Sequence, residues 1–133
     1  MGHFAKFSVA TSRRQQVVDV TSQVRQMVKA SGVGEGLCVV FVPHTTAGVT
    51  VNENYDPDVK HDVLEKLRRL FPKEEALFRH AEGNSDSHLM AMVTGSSVTL
   101  IVAGGEVQLG RWQGIWFCEY DGPREREVWV RVG

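Results

Sequence analysis

Residues 98–132 read VTLIVAGGEVQLGRWQGIWFCEYDGPREREVWVRV. Four short β-type runs follow one another in this stretch, over 98–103, 107–109, 113–119 and 127–132. Gly104-Gly105 separates the first two and is a two-residue hairpin signal. In the last run Val128, Val130 and Val132 share one face, and Trp129 and Arg131 the other. Strands joined by hairpins pair antiparallel, so this half of the chain predicts an antiparallel sheet. Working back, residues 4–9 alternate as a strand and 17–20 form a short apolar run. Residues 37–42 are continuously apolar and β-branched, which predicts a central strand covered on both faces. Pro43 ends that strand, and a further strand resumes at 50–52.

Helical signals are fewer. Thr21 is the expected N-cap of a helix over 22–31, in which Val24, Met27 and Val28 recur at helical spacing before Gly32. Asp56-Pro57-Asp58 opens a second helix over 57–70, with Val59, Val63, Leu67 and Leu70 on one face and Pro72 beyond its end. Residues 73–87 are polar and irregular, and a short helix is expected over 88–93 with Asp86 or Ser87 as its cap. The predicted class is α+β: one compact domain over residues 1–133, a mainly antiparallel sheet, and two or three helices packed on one side.

Composition agrees. The chain has 133 residues, 42% hydrophobic and 23% charged, as an ordinary globular domain has. Fifteen basic against sixteen acidic residues give a net charge of -1, which argues against nucleic acid or an anionic membrane as partner. The beginning MGHFAKFSVATSRRQQ carries no apolar signal core, and no apolar stretch approaches membrane-spanning length, so the expected compartment is the cytoplasm. Cys38 and Cys118 both lie in apolar runs and are expected to be buried, reduced thiols.

Three histidines, His44, His80 and His88, fall in loops or at element ends among polar neighbours. His80 and His88 bracket the loop AEGNSDS. Three imidazoles can hold a zinc-like divalent metal and leave one position open, with Glu82, Asn84 and Asp86 orienting the rings. The competing reading is a set of histidines hydrogen-bonded within loops. His61 is expected on the solvent side of its helix, whereas Asp62 lies at the edge of the apolar stripe, as a rim salt bridge or a site residue. Gly110 and Gly114 flank Trp112 and Gln113, an indole and an amide able to stack on a ring and bond its edge, unless the indole is a core or interface plug. Arg124 follows Gly122-Pro123 in a turn, where a guanidinium can fork a carboxylate or phosphate or simply lie in solvent. Trp112, Trp116 and Trp129 are many aromatics for so small a surface and point to self-association.

Four blocks occur in a specific order: PHTTAGVTVNEN, then DPDV with Asp62, then RHAEGNSDSHLMA, then GGEVQLGRWQGIWFCEYDGPRER. Together they resemble the YjbQ family, also called the secondary thiamine-phosphate synthase enzyme family, over nearly the whole chain. The resemblance implies a compact α+β homotrimer. It also implies a transferase that joins hydroxymethylpyrimidine diphosphate to hydroxyethylthiazole phosphate and releases diphosphate. A small phosphorylated substrate and a divalent metal, zinc-like or Mg, follow from it. It assigns catalytic roles to His44, Asp62, His80 and His88, with His44, His80 and His88 as metal ligands. Thr45, Thr46, Asn84, Trp112, Gln113 and Arg124 become substrate contacts. Arg111 departs from the family's usual threonine and alters charge and reach beside Trp112. A metal-dependent phosphate-ester hydrolase and a trimeric metal- or anion-binding module without turnover are the rival readings.

Overall fold

A computed structural model describes residues 2–133. Eleven elements follow in the order β1(His3–Ala10), β2(Gln16–Asp19), α1(Thr21–Ser31), β3(Gly36–Phe41), β4(Ala47–Glu53), α2(Pro57–Leu70), α3(Ser85–Thr94), β5(Ser97–Ala103), β6(Glu106–Gln108), β7(Gln113–Glu119) and β8(Glu125–Val132). The strands form two sheets rather than one, of order β1-β8-β3-β5-β6 and β2-β7-β4. Every pairing is antiparallel. The α+β class and the antiparallel pairing are therefore as the sequence predicts, and the Gly104-Gly105 hairpin joins β5 to β6 with both glycines at positive φ.

The two sheets face each other across one apolar core. Val40, Val102, Val128 and Val130 enter it from the five-stranded sheet, and Val49, Ile115 and Phe117 from the three-stranded one. Helix α1 adds Val24 and Val28 to the same core, so it does not share a side with the other helices. Val20 occupies its cap position, and Thr21 is the first helical residue, its hydroxyl accepting the Ile115 N–H at 2.8 Å. Helices α2 and α3 lie on the outer face of β7, where Val59, Val63, Leu67 and Met90 pack with Trp116 and Cys118.

This layering corrects the expectation for 37–42. Strand β3 is central in its sheet, but Leu37 and Phe41 on its outer face are exposed. The strand covered on both faces is β7, where residues 114–119 are all buried. Trp116, expected near the surface, is therefore in the interior at 1% exposure. Both thiols are free and buried, and burial pushes Cys38 up to about 11 and Cys118 to about 12. No helix among the described residues is long and apolar enough to cross a membrane.

A charged cluster closes the end of the sandwich. Glu119, at the last position of β7, faces Arg126 on β8 with both side chains buried, and Arg126 Nη2 and Nε bond its carboxylate. The same Nη2 donates to the Thr46 hydroxyl at 2.8 Å. Thr11 Oγ1 donates to the Glu119 carboxylate at 2.8 Å, and the Asp121 N–H does so at 3.0 Å. Burial opposes the charge on Glu119, yet these donors outweigh it and hold its pKa below the ordinary 4.5. Arg126→Leu removes the cation and leaves the carboxylate buried. It should cost about 3–5 kcal/mol at neutral pH in urea unfolding, whereas exposed Arg124→Ala should cost less than about 1 kcal/mol. The wild-type stabilisation is complete above 4.5 and lost as pH falls through the lower folded value, so the gap between wild type and Arg126→Leu should narrow in acid. Equal stability of the two proteins at pH 7 would sink this reading.

Candidate functional site

The histidines come from three separate segments. His44 and Thr45 lie in the turn between β3 and β4, next to Thr46 of the charged cluster. His88 projects from α3, which begins at Ser85 rather than at 88. Asp86 and Ser87 are therefore not caps but buried residues of its first turn. Arg14 forks the Asp86 carboxylate with two bonds of 3.0 Å, and the Ser87 hydroxyl donates to the Tyr120 carbonyl at 2.6 Å. At the other end of α3 the Gly95 carbonyl accepts the Val49 N–H at 3.1 Å. A Cβ on Gly48 would lie 2.6 Å from that carbonyl, so the helix approaches β4 more closely than any other residue permits. Pinned at both ends, α3 holds His88 in a fixed place.

His44 and His88 line one open pocket of about 380 Å³, together with Thr45, Ala47, Ala91 and Met92. His80, in the loop after α2, brings its ring centre 5.3 Å from that of His88, edge to face, and contacts Glu82 at 3.4 Å. The three predicted imidazoles thus occupy one region. They do not close around a single ion: among the described residues no group of three or more His, Cys, Asp or Glu side chains is placed to hold a metal. His44 shows why. Its Nε2 accepts the Glu127 N–H at 2.9 Å, which places the ring proton on Nδ1 and leaves that N–H as a donor rather than a ligand lone pair. Burial and the nearby Arg126 guanidinium hold His44 below its ordinary 6.5, so the ring is neutral at pH 7.

Other predicted residues are dispersed. Thr45 is exposed at the pocket, but Thr46 is buried with its hydroxyl engaged by Arg126. Asn84 precedes α3 and donates to Asp121 at 2.8 Å, while its buried carbonyl oxygen has no partner. The Arg124 guanidinium folds onto Asp121 at 3.1 Å. Asp62 does not sit at the core edge: it is 81% exposed, its partner is His61 at 3.1 Å, and it does not line the histidine pocket. Trp112 and Gln113 are at the opposite end of β7, about 20 Å away at 3.3–3.4 Å per residue. Arg14 and Arg126, which position the site, were not singled out by the sequence. Arg14 lies in a polar run, SRRQQ, that reads as a solvated loop. Arg126 was legible in principle, since it continues the inward face of Val128, Val130 and Val132.

The comparisons agree with this fold. The family model described as "UPF0047 protein YjbQ-like" matches residues 5–133. A UPF0047 protein of Methanocaldococcus jannaschii is 46% identical, over 96% of this chain and 91% of its own length. The UPF0047 protein YugU of Bacillus subtilis is 42% identical, over 93% of this chain and 94% of its own. The crystal structure of a YjbQ/UPF0047-family protein from Clostridium acetobutylicum superposes with a TM-score of 0.94 at 48% identity, covering 97% of this chain and 99% of that one. The chain belongs to the YjbQ-like UPF0047 family.

His44 should titrate below 6.5 when its ring proton is followed by NMR, and exposed His61 above 6.5, because its hydrogen bond to Asp62 favours the imidazolium. With its folded value depressed, neutral His44 contributes stability that is full above 6.5 and is lost as pH falls through the lower value. A His44 midpoint at or above 6.5 would contradict this burial of the ring beside Arg126.

Proposed function

We propose that the histidine pocket is the phosphate-handling centre of a transferase of the thiamine-phosphate synthase kind. In the reaction the thiazole nitrogen of hydroxyethylthiazole phosphate forms a bond to the methylene carbon of hydroxymethylpyrimidine diphosphate. The carbon–oxygen bond to diphosphate breaks, and diphosphate leaves with the electron pair. The observation that carries this reading is that His44, Thr45 and His88 line the same pocket, with the His44 Nδ1–H and the Thr45 hydroxyl making no hydrogen bond among the described residues. Donors fixed in advance around a leaving diphosphate stabilise its growing charge without reorganising during the reaction. The divalent-metal reading rests on the His80–His88 pair, whose ring centres lie 5.3 Å apart and whose imidazoles would supply two ligands to such an ion. Elemental analysis of the purified protein against His88→Ala reads it directly.

The uncovered face of the five-stranded sheet supports a homotrimer as part of the same proposal. Phe4, Leu37, Phe41 and Ile101 are exposed there, and Trp129 packs between Phe4 and Phe41 at 6.3 and 5.8 Å. This apolar surface, not the buried Trp116, supplies the reason to associate.

Incubated with both substrates, the purified chain should form thiamine phosphate. His88→Ala should lower turnover by about 10²-fold, and His61→Ala should leave it unchanged. No product, or full activity in His88→Ala, would overturn the assignment. Light scattering at micromolar concentration should give three times the protomer mass, and Phe41→Asp should lower it; a wild-type monomer would remove the trimer from the proposal.

A further inference from the structure

An open groove of about 380 Å³ lies between the segment 13–17, which leads into β2, and the face of α2 from Pro57 to Arg68. One wall is a sheet edge. β7 bonds β4 through its even-numbered residues and their neighbours: the Tyr120 N–H reaches the Thr46 carbonyl at 3.1 Å, and the Asn54 N–H reaches the Trp112 carbonyl at 2.7 Å. Its odd-numbered residues therefore bond β2, as the Val20 N–H to the Ile115 carbonyl at 2.9 Å shows. By the register, Gln16 and Val18 turn their backbone groups to β7, opposite Glu119 and Phe117, and Val17 turns its N–H and C=O away. β2 is an outermost strand of its sheet, so no strand takes those two groups.

The groove is also basic. Arg13, Lys60, His61 and Arg68 line it, and no carboxylate does. Arg13 is exposed, and its guanidinium makes no hydrogen bond or ion pair among the described residues. Lys60 Nζ donates to Asn54 at 2.8 Å and Arg68 Nε to Gln15 at 2.5 Å, which holds both cations in place and leaves each with further N–H groups. Asp62 pairs with His61 at 3.1 Å and Glu65 with Arg68 at 3.3 Å, but neither acid lines the groove. Val17 and Leu64, both half-buried, add apolar surface between the charges.

We propose that this groove docks an extended acidic peptide, which adds to the edge of β2 as a further strand and turns its carboxylates towards Arg13, His61 and Arg68. Two independent features select that occupant. An outward N–H and C=O side by side match a peptide backbone, whereas a small anion would meet the carbonyl as a repulsive neighbour. The surplus of cations then selects carboxylates among peptides. β2 has only four residues, so main-chain bonds alone hold a partner weakly and charge decides which one. The groove shares no lining residue with the histidine pocket, and the proposal does not rest on the transferase reading.

Fluorescence anisotropy of the labelled peptide fluorescein-EVETEVE-amide, titrated with the full chain at about 0.1 M salt, tests it. Saturable binding with a Kd below about 1 mM is expected. The same peptide with glutamine for every glutamate should bind more weakly by about tenfold or more. So should the fully N-methylated peptide, which keeps every charge but cannot pair with a strand edge. The double variant Arg13→Gln, Arg68→Gln alters two exposed side chains, and its fold is checked by circular dichroism. It should weaken the peptide by about tenfold or more, and His88→Ala should bind it as wild type does. Inorganic diphosphate, which offers nothing to the edge, should not displace the peptide. Equal binding of the methylated and unmethylated peptides, or displacement by duplex DNA, would mean a general polyanion patch and overturn the proposal. No saturable binding up to about 5 mM would overturn it as well.

Discussion

The buried pairing of Glu119 with Arg126 is the constraint on which the geometry of the histidine region depends. A carboxylate at the end of a doubly covered strand stays charged only if its donors are held in place. Those donors come from Thr11 after β1, from Asp121 after β7 and from Arg126 on β8, and Arg126 in turn holds Thr46. Four chain segments are thereby fixed against one another at a single point. The His44–Glu127 contact lies immediately alongside, with Glu127 one residue beyond Arg126 and His44 two before Thr46. Apolar side chains of similar volume can match a buried ion pair in stability, so what the pair contributes here is a defined arrangement of loops.

A second charged contact fixes the other side of the pocket. Arg14 spans from the segment before β2 to Asp86 in the first turn of α3, and the Thr94 hydroxyl meets the Tyr120 hydroxyl at 2.5 Å near the end of that helix. His88 is thus carried by a helix tied to the three-stranded sheet, and His44 by a turn tied to the charged cluster. The strand β7 connects this region to the Trp112 loop at its other end. Its continuous burial makes it a packed axis with an open pocket at each end.

Local signals in the sequence reported the elements well where a single physical rule governs them. Alternation placed β8, caps and periodicity placed α2, and paired glycines placed the β5–β6 turn. Coverage was harder to read. The apolar run of β3 looks like a strand buried on both faces, yet Leu37 and Phe41 are apolar on an uncovered surface. β7 is the strand buried on both faces, but Glu119 and the glycine and tryptophans around it disguise the pattern. In the site, the histidines stood out because neutral loops rarely gather three imidazoles. What positions them did not stand out, since a guanidinium that crosses the fold to a distant carboxylate leaves no spacing signature. Trp112 and Gln113 lie far from the histidines within the chain for a related reason: adjacency in a motif does not measure length along an extended strand.

The central claim is that His44 and His88 form one anion-binding surface held by the buried cluster. It is tested most directly by following the histidine ring resonances by NMR while inorganic diphosphate is added at neutral pH. The account predicts that His44 and His88 move together along one saturating curve, with His80 following through its contact with His88, while His61 stays still. Unmoved His44 and His88 signals at saturating diphosphate, or a shift confined to His61, would contradict it.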